Sequence, residues 1–273
     1  MSFLNIDESL CTKCMRCVSA CPRGIVSTGG EGFPRVVDAA QQMCLICGHC
    51  VAVCPERAAS LAPMNVDLCP EVDPGLSLNS RQVTQLLRSR RSIRCYKDKP
   101  VERETLKNII ETARYAPTAA NLQQIEWTVV EGQEKLKNLA KLTVEWMRRV
   151  LTDEPGSPYA GYFGPIVAGW EKGFDPILRE APVLVTASSR RVEANVPVDI
   201  SIALAYLEIA ALPVGLGTCW AGLLAAALTN DAATREALGL PKGHFYQYPM
   251  MLGYPKYKYQ RLPERKAPVI NWR

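Results

Sequence analysis

Eight of the eleven cysteines fall into two runs of identical spacing. Cys11, Cys14, Cys17 and Cys21 read C-x2-C-x2-C-x3-C and precede Pro22. Cys44, Cys47, Cys50 and Cys54 repeat that pattern before Pro55. Such a run offers thiolates to three of the four irons of an iron–sulfur cube, and the fourth cysteine, displaced by the proline, ligates the other cube of a two-cluster module. The expected sets are Cys11, Cys14, Cys17 and Cys54 for one [4Fe–4S] cluster, and Cys44, Cys47, Cys50 and Cys21 for the other. A disulfide framework suits small secreted domains, and Met1–Leu10 has neither the basic start nor the apolar core of a signal peptide. Zinc uses C-x2-C pairs but has no need of four-cysteine runs ending in proline.

All eight clustered cysteines lie before residue 55 of a 273-residue chain. That length suits one large or two ordinary domains. Cys69, Cys95 and Cys219 remain and read as reduced, partly buried thiols. A reduced complement with oxygen-sensitive chemistry implies a cytoplasmic, low-oxygen setting. Met1–Pro74 holds five basic and eight acidic residues, a balance of −3, which leaves +8 on the remainder of a chain of net charge +5. An acidic cluster module on a basic body suits electron exchange and an anionic cofactor. No basic run with interleaved aromatics suggests nucleic-acid binding.

The cluster module is expected over residues 1–63, with strands at Phe3–Ile6 and Ala59–Leu61 and a turn or hairpin over Ser27–Asp38, where Gly29, Gly30, Gly32 and Pro34 cluster. Residues 64–78 read as a linker and 79–273 as a second domain. Asn79 or Ser80 can cap a helix with an apolar face of Val83, Leu86 and Leu87. Leu106, Ile109, Ile110 and Ala113 recur at helical spacing, and Pro117 stops that helix. Trp127–Glu131, Pro182–Ala187 and Tyr246–Leu252 read as strands, and Glu134–Val150 as an amphipathic helix. Ile200–Leu228 is apolar enough to span a membrane, but Pro213, Gly215 and Gly217 cut it and Glu208 charges it. It is read as a buried or interface helix, with no membrane partner.

Arg90-Arg91-Ser92-Ile93-Arg94 places guanidinium groups around a hydroxyl just past a helix end, an arrangement suited to phosphate. Ala116-Pro117-Thr118-Ala119-Ala120-Asn121-Leu122-Gln123 follows, then Gly215-Leu216-Gly217-Thr218-Cys219-Trp220-Ala221-Gly222, then Leu252-Gly253-Tyr254-Pro255 and Arg261. In this order the segments resemble the FMN-dependent nitroreductase superfamily over about Leu78–Arg265. With the cysteine runs in front, the chain is similar to its ferredoxin-fused subgroup. The resemblance implies an α+β sandwich, a mainly antiparallel sheet flanked by helices, dimerising through a long helix for which Asp199–Leu212 is the candidate. It implies FMN at the dimer interface. Arg90, Arg91, Ser92 and Arg94 would hold its phosphate and ribityl chain. Pro117, Thr118 and Asn121 would reach it from the second subunit. Gly217, Trp220, Ala221 and Gly222 would lie against the ring, and Arg261 on the phosphate.

Gly215-x-Gly217 lacks the third glycine and preceding strand of a dinucleotide fingerprint. The resemblance still allows NAD(P)H to use the substrate cavity in turn, while the two attached clusters are the simpler electron supply, fed by reduced ferredoxin or a similar donor. FMN converts single electrons into pairs, which places the chemistry on the cofactor. His49 is expected to shape the cluster surroundings and His244 to sit at a surface or turn. No Ser-His-Asp arrangement is evident. Trp146–Phe174 holds six aromatics among Gly and Pro and reads as an irregular segment, either a lid stacking on a flat substrate or packing at a dimer surface. The expected activity is reduction of an electron-poor small molecule such as a nitroaromatic, quinone or activated alkene. Reductive dehalogenation and relay of electrons to a protein partner are the alternatives.

Overall fold

The computed structural model describes residues 3–36, 38–154, 156 and 158–273. Met1 and Ser2 of the cluster module, Val37 of the expected hairpin, and Pro155 and Ser157 of the aromatic segment lie outside the described residues. The chain divides into two compact units, Met1–Ser77 with Ala120–Leu122, and Leu78–Ala119 with Gln123–Arg273.

The first unit is small and nearly two-fold in its local pattern. Its elements are β1 (Leu4–Ile6), α1 (Arg16–Ala20), β2 (Val26–Thr28), β3 (Pro34–Val36), α2 (His49–Ala52) and β4 (Ala59–Leu61). β1 pairs antiparallel with β4 through Leu4–Leu61, and β2 with β3 as a hairpin. Alternation along these strands turns Leu4, Val26, Val36, Ala59 and Leu61 inward, around the buried Cys17 and Cys50. Residues 64–78 form two short 3₁₀ turns, Val66–Leu68 and Pro74–Leu76, capped by the Asn65 and Asp73 side chains.

The second unit begins with a full capping box. Asn79 accepts from the Gln82 amide and Gln82 accepts from the Asn79 amide, both at 2.9 Å, at the start of α3 (Ser80–Ser89). α4 (Arg103–Ala113) buries Leu106, Ile109 and Ala113. Then come β5 (Glu126–Glu131), α5 (Gln133–Asp153), α6 (Ala160–Glu171), β6 (Val183–Ser189), α7 (Val196–Ala211), β7 (Gly217–Trp220), α8 (Gly222–Asn230), α9 (Ala232–Leu238) and β8 (Tyr246–Gly253). The strands form one antiparallel sheet in the order β5-β6-β8-β7.

Strand alternation builds two cores. Val183, Val185, Ala187, Met250 and Leu252 pack with α4 and α7 on one face. Leu184, Cys219 and Met251 pack with α5, α6, α8 and α9 on the other. β6 is buried at every position, as a strand covered on both faces must be. The apolar stretch Ile200–Leu228 resolves into most of α7, then β7 and most of α8. Among the described residues no helix is long and apolar enough to cross a membrane.

Three expectations need correction. The aromatic segment is largely helical among its described residues: α5 runs to Asp153 and α6 forms across Pro165. Val83 and Leu87 on α3 are exposed in the single chain, and α3 buries no residue. His244 is buried. Its Nδ1 lies 2.9 Å from Ser188 Oγ, and its Nε2 lies 3.3 Å from Glu126 Oε1 without hydrogen-bond geometry. Ser188 is fully buried as well, so this Ser–His–Glu line has no access for a substrate and ties strands together.

Candidate functional site

The cysteine loops are shaped by unusual backbone. In each run the residues on either side of the second cysteine are left-handed: Lys13 and Met15 around Cys14, Ile46 and Gly48 around Cys47, with φ between 50° and 71°. Only Gly48 adopts this freely, and the other three each cost roughly 1 kcal/mol or more. Repetition of the same costly turn at both runs marks a loop built for ligation.

Two hollows result. Cys11, Cys14, Cys17 and Cys54 line one. Cys21, Cys44, Cys47 and Cys50 line the other. Each thus gathers three cysteines of one run and the last cysteine of the opposite run. All eight are free thiols. Four cysteines around each hollow, in runs that end in proline, suit a polynuclear cube. Backbone amides already point at sulfur: Ile46 N–H donates to Cys44 Sγ at 3.4 Å and Ala58 N–H to Cys54 Sγ at 3.2 Å. Burial raises the Cys21 thiol, but the amides of Arg23, Ile25, Val26 and Gly24 outweigh it and hold its pKa below the usual thiol value. Burial pushes Cys50 up to about 11, so ligation there must displace a proton.

In the second unit a cavity of about 720 Å³ opens beside β7 and α8. Arg94, Trp220, Ala221 and Gly222 lie in its wall, together with Trp146, Tyr159, Tyr162 and Phe163. It therefore joins two of the flavin-like segments to the aromatic segment. α8 begins at this wall with no side-chain cap on its first amides, and uncapped N–H groups at a helix start suit an anion or a ring carbonyl. These features fit a flavin. The buried Cys219 thiol also lies in the wall. Burial raises its pKa, and Arg94, the Ser92 hydroxyl and Arg179 partly offset the rise.

The remaining expected residues sit elsewhere. Arg90 Nη1 is 3.1 Å from Glu208 Oε1, and buried Glu208 also accepts from Thr218 Oγ1 at 3.0 Å. Arg91 donates to the Arg90 carbonyl. Gly217 serves packing: a Cβ there would fall 2.3 Å from Ile93 Cγ1 and 2.9 Å from Pro255 Cγ. Pro117 is exposed. Thr118 Oγ1 accepts from the Gln123 amide at 3.0 Å, and Ala120, Asn121 and Gln123 are left-handed. Asn121, grouped with the first unit, donates to the Leu45 and Ile46 carbonyls at 3.1 Å. Arg261 lies exposed in the extended C-terminal stretch.

Three further residues have roles that no sequence motif marks. Asp199 is buried at the start of α7, where it accepts from the Ala119 amide and, at 2.6 Å, from Gln124 Nε2, fixing both ends of the 119–124 loop. Glu208 counts in the sequence only as a charge inside an apolar run. Arg179 belongs to no motif.

An antiparallel sheet sandwiched by helices, with such a cavity at one face and an iron–sulfur-type module in front, defines a class of redox flavin folds. Residues 87–254, more than half of the chain, match the nitroreductase family, and residues 10–59 match the 4Fe-4S dicluster domain. The chain belongs to the nitroreductase family. It is 29% identical over 192 residues to an FMN reductase (NAD(P)H) of Bacillus subtilis, covering 70% of this chain and 72% of that one. It is 28% identical over 172 residues to a putative NADH dehydrogenase/NAD(P)H nitroreductase of Archaeoglobus fulgidus, covering 63% and 84%. In fold it is similar to an FMN-bound nitroreductase of Bacteroides fragilis, with a TM-score of 0.55, 22% identity, and coverage of 71% of this chain and 100% of that one.

Proposed function

We propose that the protein is an iron–sulfur flavoprotein that passes electrons from two [4Fe–4S] clusters to FMN and on to an electron-poor small molecule. Nitroaromatics, quinones and activated alkenes are the acceptor class. The observation that carries the reading is the cavity, which brings Arg94, Trp220, Ala221 and Gly222 together with an aromatic wall. A chamber of this size holds small ligands, which favours an enzyme over a relay to a protein surface. The FMN-bound neighbour and the FMN reductase relative support the choice of cofactor.

Cys11, Cys14, Cys17 and Cys54 would hold one cluster, and Cys21, Cys44, Cys47 and Cys50 the other. FMN, when bound, supplies the conversion between one-electron and two-electron chemistry. Arg94 and the uncapped start of α8 would orient it, and the aromatic wall would exclude water from the acceptor. A homodimer completes the site in this reading, with Pro117, Thr118 and Asn121 reaching the partner's flavin. Exposed apolar side chains support the dimer: Val198 and Tyr206 on α7, flanked by the half-buried Ile202 and Ile209, and Val269 and Trp272 in the C-terminal stretch. A low-potential ferredoxin is the proposed donor and the cytoplasm the proposed compartment. The test is anaerobic: dithionite-reduced holoprotein is mixed with a panel of nitroaromatics, quinones, enones and aryl halides, and flavin absorbance is followed. Rapid reoxidation by members of the first three classes is expected. Reoxidation by none, or by aryl halides alone, would overturn the reading.

A further inference from the structure

We propose that the acceptor is a flat aromatic carrying an acidic group, and that Arg179 is the residue that selects it. The inference rests on the reading of the cavity as the acceptor site. Two guanidinium groups line that cavity, Arg94 and Arg179. Cys219 lies in the same lining, and both guanidinium groups offset the rise that burial gives its thiol. Among the described residues neither makes an ion pair, in contrast to Arg90, which is neutralised by Glu208. Arg94 belongs to the flavin-like segment. Arg179 is then a second, unassigned cation.

Its position is built. Arg179 and Glu180 have φ of 58° and 56°, a left-handed pair without glycine, and such outliers persist where surrounding structure enforces them. Asp175 does the enforcing. Its carboxylate accepts from the amides of Ile177, Leu178 and Glu180 at 2.9, 3.0 and 3.1 Å. Asp175 is thus spent on backbone, and among the described residues the adjacent, exposed Glu180 makes no ion pair with Arg179 either. The Arg179 guanidinium stands over the Phe174 ring, 4.9 Å from its centroid, which holds the planar fork in place. The one carboxylate in the lining among the described residues is Glu154, exposed at the end of α5.

The aromatic part of the lining supplies the flat partner surface. Tyr159 stacks on Phe163 at 5.5 Å and Trp146 meets Phe163 edge-on at 5.3 Å. Tyr159 and Tyr162 remain more than half exposed. A ring held against these aromatics while an attached carboxylate, sulfonate or phenolate meets the Arg179 fork satisfies both halves of the lining. A neutral aromatic would satisfy only one.

Binding, not turnover, tests this most cleanly. Calorimetric titration of the oxidised, FMN-loaded full-length protein with benzoate and with benzamide compares a charged and a neutral ligand of near-equal shape. The wild type should bind benzoate about tenfold or more tightly, the scale of one charge-assisted contact. Arg179→Gln should collapse that ratio towards one, while Arg179→Lys should keep part of it, with FMN content equal in all three proteins. Equal binding of the two ligands by the wild type would overturn the proposal, as would a preference that survives in Arg179→Gln. Loss of FMN from Arg179→Gln would assign the residue to the flavin and overturn it as well. Benzoate preference in a protein whose reduced flavin ignores all acceptors would refute the proposed reduction and leave the anion site standing.

Discussion

Replacing Arg90 separates two roles that the sequence alone merges. The guanidinium sits 3.1 Å from Glu208, whose side chain is only 8% exposed and is also held by Thr218. Arg90→Ala strands that carboxylate. Breaking a buried pair from one side costs about 3–5 kcal/mol, and the lower end applies because Arg90 itself is 29% exposed. For a folding unit of this size about 3 kcal/mol corresponds to a fall in Tm of about 6–12 °C. Glu208→Gln removes the stranded charge and leaves an amide oxygen that can still accept from Thr218. The double variant Arg90→Ala/Glu208→Gln should therefore recover at least half of the lost stability. Differential scanning calorimetry of wild type, both singles and the double gives the cycle, and FMN content is measured on the same samples. If Arg90 also holds the flavin phosphate, FMN content stays low in the double although stability returns. A double variant no more stable than Arg90→Ala would refute the claim that Arg90 neutralises Glu208.

Cys54→Ser should cost the cluster lined by Cys11, Cys14 and Cys17 and spare the other, because the fourth ligands cross over; iron content and electron paramagnetic resonance of the reduced protein distinguish the two. Gly217→Ala should lower Tm by about 4–12 °C, since its methyl would overlap Ile93 and such overpacking costs roughly 2–3 kcal/mol. Gly222→Ala, whose methyl would meet only Tyr248 Oη at 3.5 Å, should leave Tm unchanged in the same scan. Burial raises the Asp231 carboxyl, but the Thr234 hydroxyl and amide together with Arg149 hold its pKa below the usual carboxylate value. Its stabilisation is therefore complete above the unfolded pKa of about 3.9 and fades as pH falls through the lower folded value. Asp231→Ala should lower Tm by about 3–6 °C at pH 7, and the gap should narrow below pH 4 in a pH series of thermal melts.

Features carried by neighbouring residues were legible in the sequence. The cysteine spacing, the helix cap at Asn79 or Ser80 and the apolar run of β6 each encode their own local geometry. β7 was hidden because four residues within Gly217–Trp220 are too short to show a period, and its glycine is demanded by Ile93, far off in sequence. α6 was missed because Gly161, Gly164 and Pro165 are breakers by propensity, whereas burial of Phe163 and Val167 holds the helix together. His244 reads as a turn residue in Pro-Lys-Gly-His, and only the pairing of β6 with β8 brings Ser188 to it. Of the candidate site, the flavin-like segments are contiguous and could be recognised. Glu208 and Asp199 act across 118 and 80 residues, and no local pattern announces them. Arg179 is set by a backbone conformation that its sequence does not advertise.

The central claim is that electrons enter at the clusters and leave through FMN. Stopped-flow measurement of flavin reduction by a reduced low-potential ferredoxin, without oxygen, tests it most directly. The full-length protein is compared with a chain beginning at Leu78, where the second compact unit starts, after the shorter chain is shown by circular dichroism and FMN content to be folded and loaded. The account predicts fast flavin bleaching in the full-length protein and its loss in the shorter one, with direct reduction by dithionite preserved in both. Equal ferredoxin-driven rates in the two proteins would contradict it.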